Sequence, residues 1–225
     1  MELGRYSLAV AIQRRGGRIV MWIYEKKLQY PVKIKNPNPR LAGVIISQLG
    51  GPDGELAAAT RYLSQRYTMP SGEAIGMLTD IGSEELGHVE MISAILYQLT
   101  KNLTPEEIKA AGFDKYFVDH TLGVYPASAD GVPFSAAYLQ SKGDTVADLV
   151  EDLAAEQKAR VTYDNILRLS DDPDVNDVIK FLRQREVVHF QRFGDILRKT
   201  QEKLDSKNFY AFNPEYTVCK NRRNK

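Results

Sequence analysis

Cysteine is almost absent from this chain of 225 residues, and the single Cys219 cannot form an intrachain disulfide. That fits a reducing compartment and equally an exported protein built without disulfides. Long apolar runs are also missing, and nothing approaches the roughly 18 residues that a membrane-spanning helix needs. Neither sign of charge dominates: Lys+Arg number 30 and Asp+Glu 29, for a formal net charge of +1. This balance excludes the broad field that gathers nucleic acid or acidic lipid. Low-complexity tracts are absent. Gly50, Gly51 and Gly54 are not followed by Gly-Lys-Ser/Thr, so they form no phosphate loop; a kink or π-bulge that adjusts Glu55 is the expected use. Histidine is scarce as well, with only three in the chain, and two of these, His88 and His189, stand in a repeated pattern.

What is present is ordinary globular material, 43% hydrophobic and 26% charged, enough for one core. Residues 1–20 hold Arg14, Arg15 and Arg18 but only a short apolar stretch at 8–12, too short for the apolar region of a secretion signal. They are expected to be a disordered extension, or to precede a true start at Met21. The expected location is therefore the cytoplasm, with no signal peptide. Residues 22–39 read as an extended arm, with Trp22, Tyr24, Leu28 and Tyr30 at even spacing and Pro31, Pro37 and Pro39 excluding a helix.

Four long helical stretches are expected at about 40–68, 72–100, 144–170 and 174–203. Pro70 and Ser71 punctuate the first junction; Asp171, Asp172 and Pro173 punctuate the last. Both junctions are short, so each pair of helices forms an antiparallel hairpin. The long connection 101–143 carries one short helix, with Thr104, Pro105 and Glu107 as its capping signature. Two hairpins joined by a long crossover make an all-α, ferritin-like four-helix bundle. The domain is expected over 21–203, with an irregular C-terminal tail at 204–225.

The second helix places Leu78, Ile81, Glu85, His88, Ile92, Ile95 and Leu99 at alternating steps of three and four, the buried seam of a bundle helix. Glu85 and His88 thus stand where apolar residues belong. The fourth helix repeats the pattern with Val175, Ile179, Leu182, Glu186, His189, Phe193 and Ile196. The third gives Val146, Leu149, Leu153, Glu156, Arg160, Tyr163 and Leu167, and the first puts Glu55 beside Ala59 and Tyr62. Glu55, Tyr62, Glu85 and His88 each recur 101 positions later, as Glu156, Tyr163, Glu186 and His189. This is an internal repeat of two hairpins.

A lone Glu-x-x-His is usually a solvated face, but two in register on buried seams are not. Residues three apart share a helix face. Four glutamates and two histidines then converge on one cavity, where unpaired carboxylates would repel and lose hydration. Two divalent cations offset that cost, and carboxylate with imidazole suits manganese or iron. The same ligand arrangement is the general description of dinuclear carboxylate bundles. Tyr62 and Tyr163 need hydroxyl partners once buried; plain packing and a hydrogen bond to a ligand both remain open. His120, in the crossover, reads as a loop histidine, and Lys220, Arg222, Arg223 and Lys225 as a solvated basic end.

The runs Gly50-Gly51-Pro52-Asp53-Gly54-Glu55-Leu56-Ala57-Ala58 and Asp80-Ile81-Gly82-Ser83-Glu84-Glu85-Leu86-Gly87-His88-Val89-Glu90-Met91 resemble the manganese catalases. The opening Met21-Trp22-Ile23-Tyr24-Glu25-Lys26-Lys27-Leu28-Gln29-Tyr30-Pro31 resembles their spore-coat, CotJC-type branch. The resemblance implies two manganese ions per subunit, held by Glu55, Glu85, His88, Glu156 and His189. It implies proton transfer for Glu186 and disproportionation of hydrogen peroxide. Some family members have a basic residue beside the third-helix ligand; here Ala154 and Ala155 precede Glu156. The resemblance further implies a homo-oligomer, a hexamer in the catalases, and a place in the spore coat beside other coat proteins. Two other readings stand next to it: a structural coat protein using Phe209, Tyr210, Phe212 and Tyr216 for contacts, and a di-iron oxidase or iron store. Turnover separates the first from the enzyme, and metal identity the second.

Overall fold

A computed structural model describes residues 27–118 and 123–203, together with the backbone of 13–15 and 18–20. Strands β1 (Gln13–Arg15) and β2 (Arg18–Val20) pair antiparallel. Otherwise the expected extension at 1–20, the arm residues Trp22 and Tyr24, His120 and the tail 204–225 lie outside the described residues.

From Leu28 to Asn38 the chain runs without helix along the bundle. Val32 and Ile34 are buried there. Gln98 clasps this segment, accepting from the Ile34 amide and donating to the Val32 carbonyl. Tyr30 stacks on Phe181 at 4.6 Å and donates to Asp177. The arm therefore packs on its own subunit.

Helix α1 (Pro39–Ile45) starts at Asn38, whose side chain accepts from the Leu41 amide, with Pro39 in the first turn. A single turn, α2 (Ser47–Gly50), follows, and α3 (Glu55–Gln65) begins only after a break. The sequence predicts one continuous helix over 40–68. The structure differs because Gly51 is extended, Pro52 lacks an amide proton, and Gly54, also extended, caps α3. The expected kink is thus a full interruption, and it makes Glu55 the first residue of α3.

At the break, Gly50 touches the crossover. A β-carbon there would lie 2.3 Å from the Ala127 amide nitrogen and 2.4 Å from the Pro126 carbonyl carbon. Both are backbone atoms, so relief requires moving the chain. Gly50→Ala is expected to destabilise the protein by about 2 kcal/mol or more. A denaturant midpoint equal to wild type would contradict this.

The remaining elements fall where the caps put them. Helix α4 (Gly72–Thr100) is capped by Ser71, and α5 (Pro105–Ala110) carries the full Thr104–Glu107 capping box. The crossover then forms strands β3 (Phe117–Val118) and β4 (Gly123–Val124), paired antiparallel, and a 3₁₀ turn at Ala136–Leu139. Asp144 caps α6 (Thr145–Leu169), and Asp172 accepts from the first amides of α7 (Pro173–Lys203).

Helices α3 and α4 pack as one hairpin, α6 and α7 as the other, and α4 meets α7 while α3 meets α6. With the long crossover between the hairpins, this is a ferritin-like four-helix bundle. Among the described residues, no helix is long and apolar enough to cross a membrane.

The expected seams of α4 and α7 are fully buried. On α6 the buried face is turned: Asp148, Asp152 and Ala159 are inside, while Arg160 lies at the edge and pairs with Asp164. Asp148 satisfies the Lys142 and Gly143 amides, so a polar side chain is buried to close a loop. Apolar periodicity cannot show that. The core divides into two clusters, one around Ile92, Ile95, Val175 and Leu182 and the other around Leu78, Ile81, Leu149 and Phe193. A polar layer separates them.

Candidate metal centre

The polar layer consists of Glu55 from α3, Glu85 and His88 from α4, Glu156 from α6, and Glu186 and His189 from α7, all at most 2% exposed. Sequence reasoning brought these six together, and the structure places them in one cluster. Their ligand atoms form two groups: Glu55, Glu85, His88 and Glu186, and then Glu85, Glu156, Glu186 and His189. Within each group the donor atoms lie within 4.8 Å of one another, close enough to hold a metal ion. Glu85 and Glu186 belong to both groups. The geometry thus brings Glu186 in among the donors, so its place alone does not separate ligation from the proton transfer expected of it.

Glu85 stands at the centre. Its Oε2 lies 2.7 Å from His88 Nδ1 and its Oε1 2.7 Å from His189 Nδ1. The outer glutamates sit farther away, Glu55 Oε2 at 3.6 Å from His88 Nδ1 and Glu156 Oε2 at 3.5 Å from His189 Nδ1. The imidazole rings stack with centroids 5.7 Å apart. The two tyrosines cross between hairpins: Tyr62 donates to Glu156 Oε1 at 2.5 Å, and Tyr163 donates to Glu55 Oε1. Each buried hydroxyl is therefore joined to a glutamate of the other half.

Several buried atoms in this layer lack a well-directed hydrogen bond: Glu156 Oε2 and Glu186 Oε1 have no partner, and Glu85 Oε1 and His189 Nδ1, though 2.7 Å apart, are not aligned for one. Buried polar groups are rarely left so. Unpartnered carboxylate oxygens and an imidazole nitrogen facing one another are the donor set of a hard or borderline cation, and they fit two manganese ions.

Without cations the layer is neutralised by protons. Burial, then the charge of Glu85, raises Glu55 to about 7. Burial and the charges of Glu55, Glu156 and Glu85 hold Glu186 well above the usual carboxylate range. For Glu85, burial opposes ionisation, but the two adjacent imidazoles outweigh it and hold the group well below that range. Burial likewise opposes charge on the histidines. Glu85 and its neighbours overcome it, raising His88 and taking His189 to about 11.

These shifts fix a sign. A group whose pKa is raised binds more protons folded than unfolded, so its stabilisation is lost as pH rises. For Glu55 the loss runs from its ordinary 4.5 to about 7, and for His189 from 6.5 to about 11. Glu85, lowered, contributes a constant amount throughout that range. The metal-free protein is therefore expected to melt at a lower temperature at about pH 8 than at about pH 5.5. Cations replace the protons, so metal uptake should strengthen over the same interval. Melts of chelator-treated protein that are flat or rise with pH would contradict this.

A narrow cavity, with room for about one water-sized molecule, reaches the layer from the break between α2 and α3. Pro52 and Asp53 line it along with Ala155, Ala159, Glu55 and Glu186. Ala155 is thus a wall of this cavity, where it leaves space beside Glu156.

Sequence reasoning missed three residues outside the layer. Glu84 lies behind both histidines, in hydrogen-bond contact with His189 and 3.8 Å from His88, and Arg185 and Gln29 hold it. The one available signal was that positions 84 and 185 are themselves 101 apart.

Comparison with known proteins gives the chain its relatives. The family described as manganese containing catalase matches residues 21–211. Protein CotJC of Bacillus subtilis (strain 168) is 54% identical over 190 residues, 84% of this chain and 100% of its own length. A probable manganese catalase of Clostridium acetobutylicum is 34% identical over 191 residues, covering 84% of this chain and 85% of its own. Among solved structures, KatB, a manganese catalase from Anabaena PCC7120, aligns with a TM-score of 0.74 at 33% identity, over 80% of this chain and 81% of its own.

Proposed function

The chain belongs to the manganese-containing catalase family, and from that membership and its buried donor layer we propose that it is a dimanganese catalase of the spore coat. The reaction turns two molecules of hydrogen peroxide into two of water and one of dioxygen. The observation that carries the reading is the position of Glu85, with each carboxylate oxygen 2.7 Å from a different histidine Nδ1. One side chain then serves both halves of a duplicated site.

In this reading Glu55, Glu85, His88, Glu156 and His189 hold the metal pair. Bound there, the pair supplies Lewis acidity and a two-electron redox couple. The protein does the rest. Tyr62 and Tyr163 fix the outer glutamates by hydrogen bonds to their second oxygens. The two apolar clusters on either side keep bulk water out. The cavity beside Ala155, with room for about one water-sized molecule, favours the smallest peroxide over bulkier ones. Glu186 lines that cavity, and its raised pKa suits a group that takes a proton from one peroxide and returns it to the next.

The test is oxygen release from hydrogen peroxide by protein prepared from manganese-supplemented cells. Rapid release, abolished by stripping the metal and not restored by iron, is expected. No release from protein shown to carry manganese would overturn the catalase reading and leave a metal-stabilised coat protein. The coat location rests on the 54% identity to CotJC. It predicts recovery from the coat extract of purified spores; recovery only from the cytosolic fraction would overturn it. Self-association is part of the same reading, and gel filtration eluting as a single subunit would contradict it.

A further inference from the structure

Positions 84 and 185 are equivalent in the two hairpins, being 101 apart and each preceding a glutamate of the layer. Equivalent positions would be expected to carry like residues, as the six layer positions do. Here one is Glu and the other Arg, and the two meet between α4 and α7. Arg185 Nε lies 2.6 Å from Glu84 Oε1 and Nη2 lies 3.2 Å from Oε2, a two-point clasp. Gln29, from the arm, donates to Oε1 at 2.7 Å.

The same carboxylate faces both histidines. His189 Nε2 is 3.0 Å from Glu84 Oε2, within hydrogen-bond distance, whereas His88 Nε2 is 3.8 Å from Oε1, beyond it, and has no hydrogen-bond partner. Both rings are fully buried with Nδ1 toward Glu85, so Nε2 is in each case the outward nitrogen. An imidazole can present a lone pair at Nδ1 only if its proton sits on Nε2, and a carboxylate there fixes both the proton and the ring plane.

We propose that Glu84 is the positioning residue for His189 of the metal centre, acting on His88 through its charge alone, and that Arg185 and Gln29 act by holding it. The inference rests on reading the polar layer as a metal centre. The break in the repeat explains itself on these terms. Two carboxylates behind one pair of rings would repel each other, and two guanidiniums would repel the imidazole N–H groups. One of each gives a single acceptor, locked by its own counterpart. Glu84 therefore orients His189 directly, while His88, 3.8 Å away, feels only its charge.

The test is manganese(II) titration of metal-free protein, read from the loss of the free-ion paramagnetic resonance signal and the growth of the coupled-pair signal. Melting of the metal-free forms is measured alongside. Glu84→Ala is expected to weaken manganese binding about 10- to 100-fold, with the site containing His189 affected more. Arg185→Met breaks the same interhelical ion pair but leaves the carboxylate behind the rings; its loss of affinity is expected to be about threefold, below the range for a residue that itself touches a ligand. If Glu84→Ala does not fold, Glu84→Gln, which keeps the shape and removes the charge, is expected to lose about tenfold. Equal weakening in Glu84→Ala and Arg185→Met would overturn the proposal in favour of a purely structural ion pair. Wild-type affinity in the Glu84 variants would overturn it outright. A wild-type protein that binds no manganese would overturn the metal-centre reading together with it, so the two failures are distinguishable.

Discussion

Glu85→Ala is expected to abolish oxygen release and to leave the protein unable to retain either manganese ion through gel filtration. Glu85 is the carboxylate that the layer keeps ionised, because two imidazoles flank it. It contributes one oxygen to each half, and both donor groups include it. The substitution removes a ligand from each group at once and leaves two buried histidines without their nearest carboxylate. Loss of one ligand from each group is expected to weaken the binding of each ion at least a hundredfold, about 2.8 kcal/mol. Metal analysis and an oxygen electrode read the two effects on one sample. Retention of both ions in the variant would show that the metals do not depend on Glu85.

Glu186→Gln is expected to behave differently, keeping both ions and losing oxygen release about 100- to 10,000-fold, the range for removal of a general acid–base group. Burial and three neighbouring carboxylates hold Glu186 well above the usual carboxylate range, so it keeps its proton when the others ionise. Glutamine replaces a neutral group of the same shape, and the charge balance of the layer changes little. What is lost is the exchangeable proton on the wall of the cavity. Loss of the metals in this variant would show that Glu186 is a ligand, as its presence in both donor groups also permits.

The repeat is what made the centre readable in advance. Glu and His at seam positions, twice and in register, force convergence, because a helix face carries whatever stands at steps of three and four. The same logic gave the buried faces of α4 and α7, and the Thr104–Glu107 capping signature gave the start of α5. It failed at 51–54, where a turn of Gly, Pro, Asp and Gly ends one helix and starts another inside what reads as a single stretch. It failed on α6, where Asp148 and Asp152 are buried by polar demands that apolar periodicity does not record. Glu84 was hidden for a related reason. It stands beside a ligand on a face that counts as solvent-exposed by spacing, and its value comes from Arg185 and Gln29, 101 and 55 positions away. Tyr62 and Tyr163 were visible as a repeated pair, but their crossing to the opposite hairpin's glutamate depends on how α3 meets α6.

The most direct measurement is anomalous diffraction at the manganese absorption edge from crystals of protein purified out of manganese-supplemented cells. Two peaks are expected in the polar layer, one beside His88 and one beside His189, with Glu85 between them. An empty layer in protein grown on manganese, or a single peak on one side, would contradict a dinuclear manganese centre.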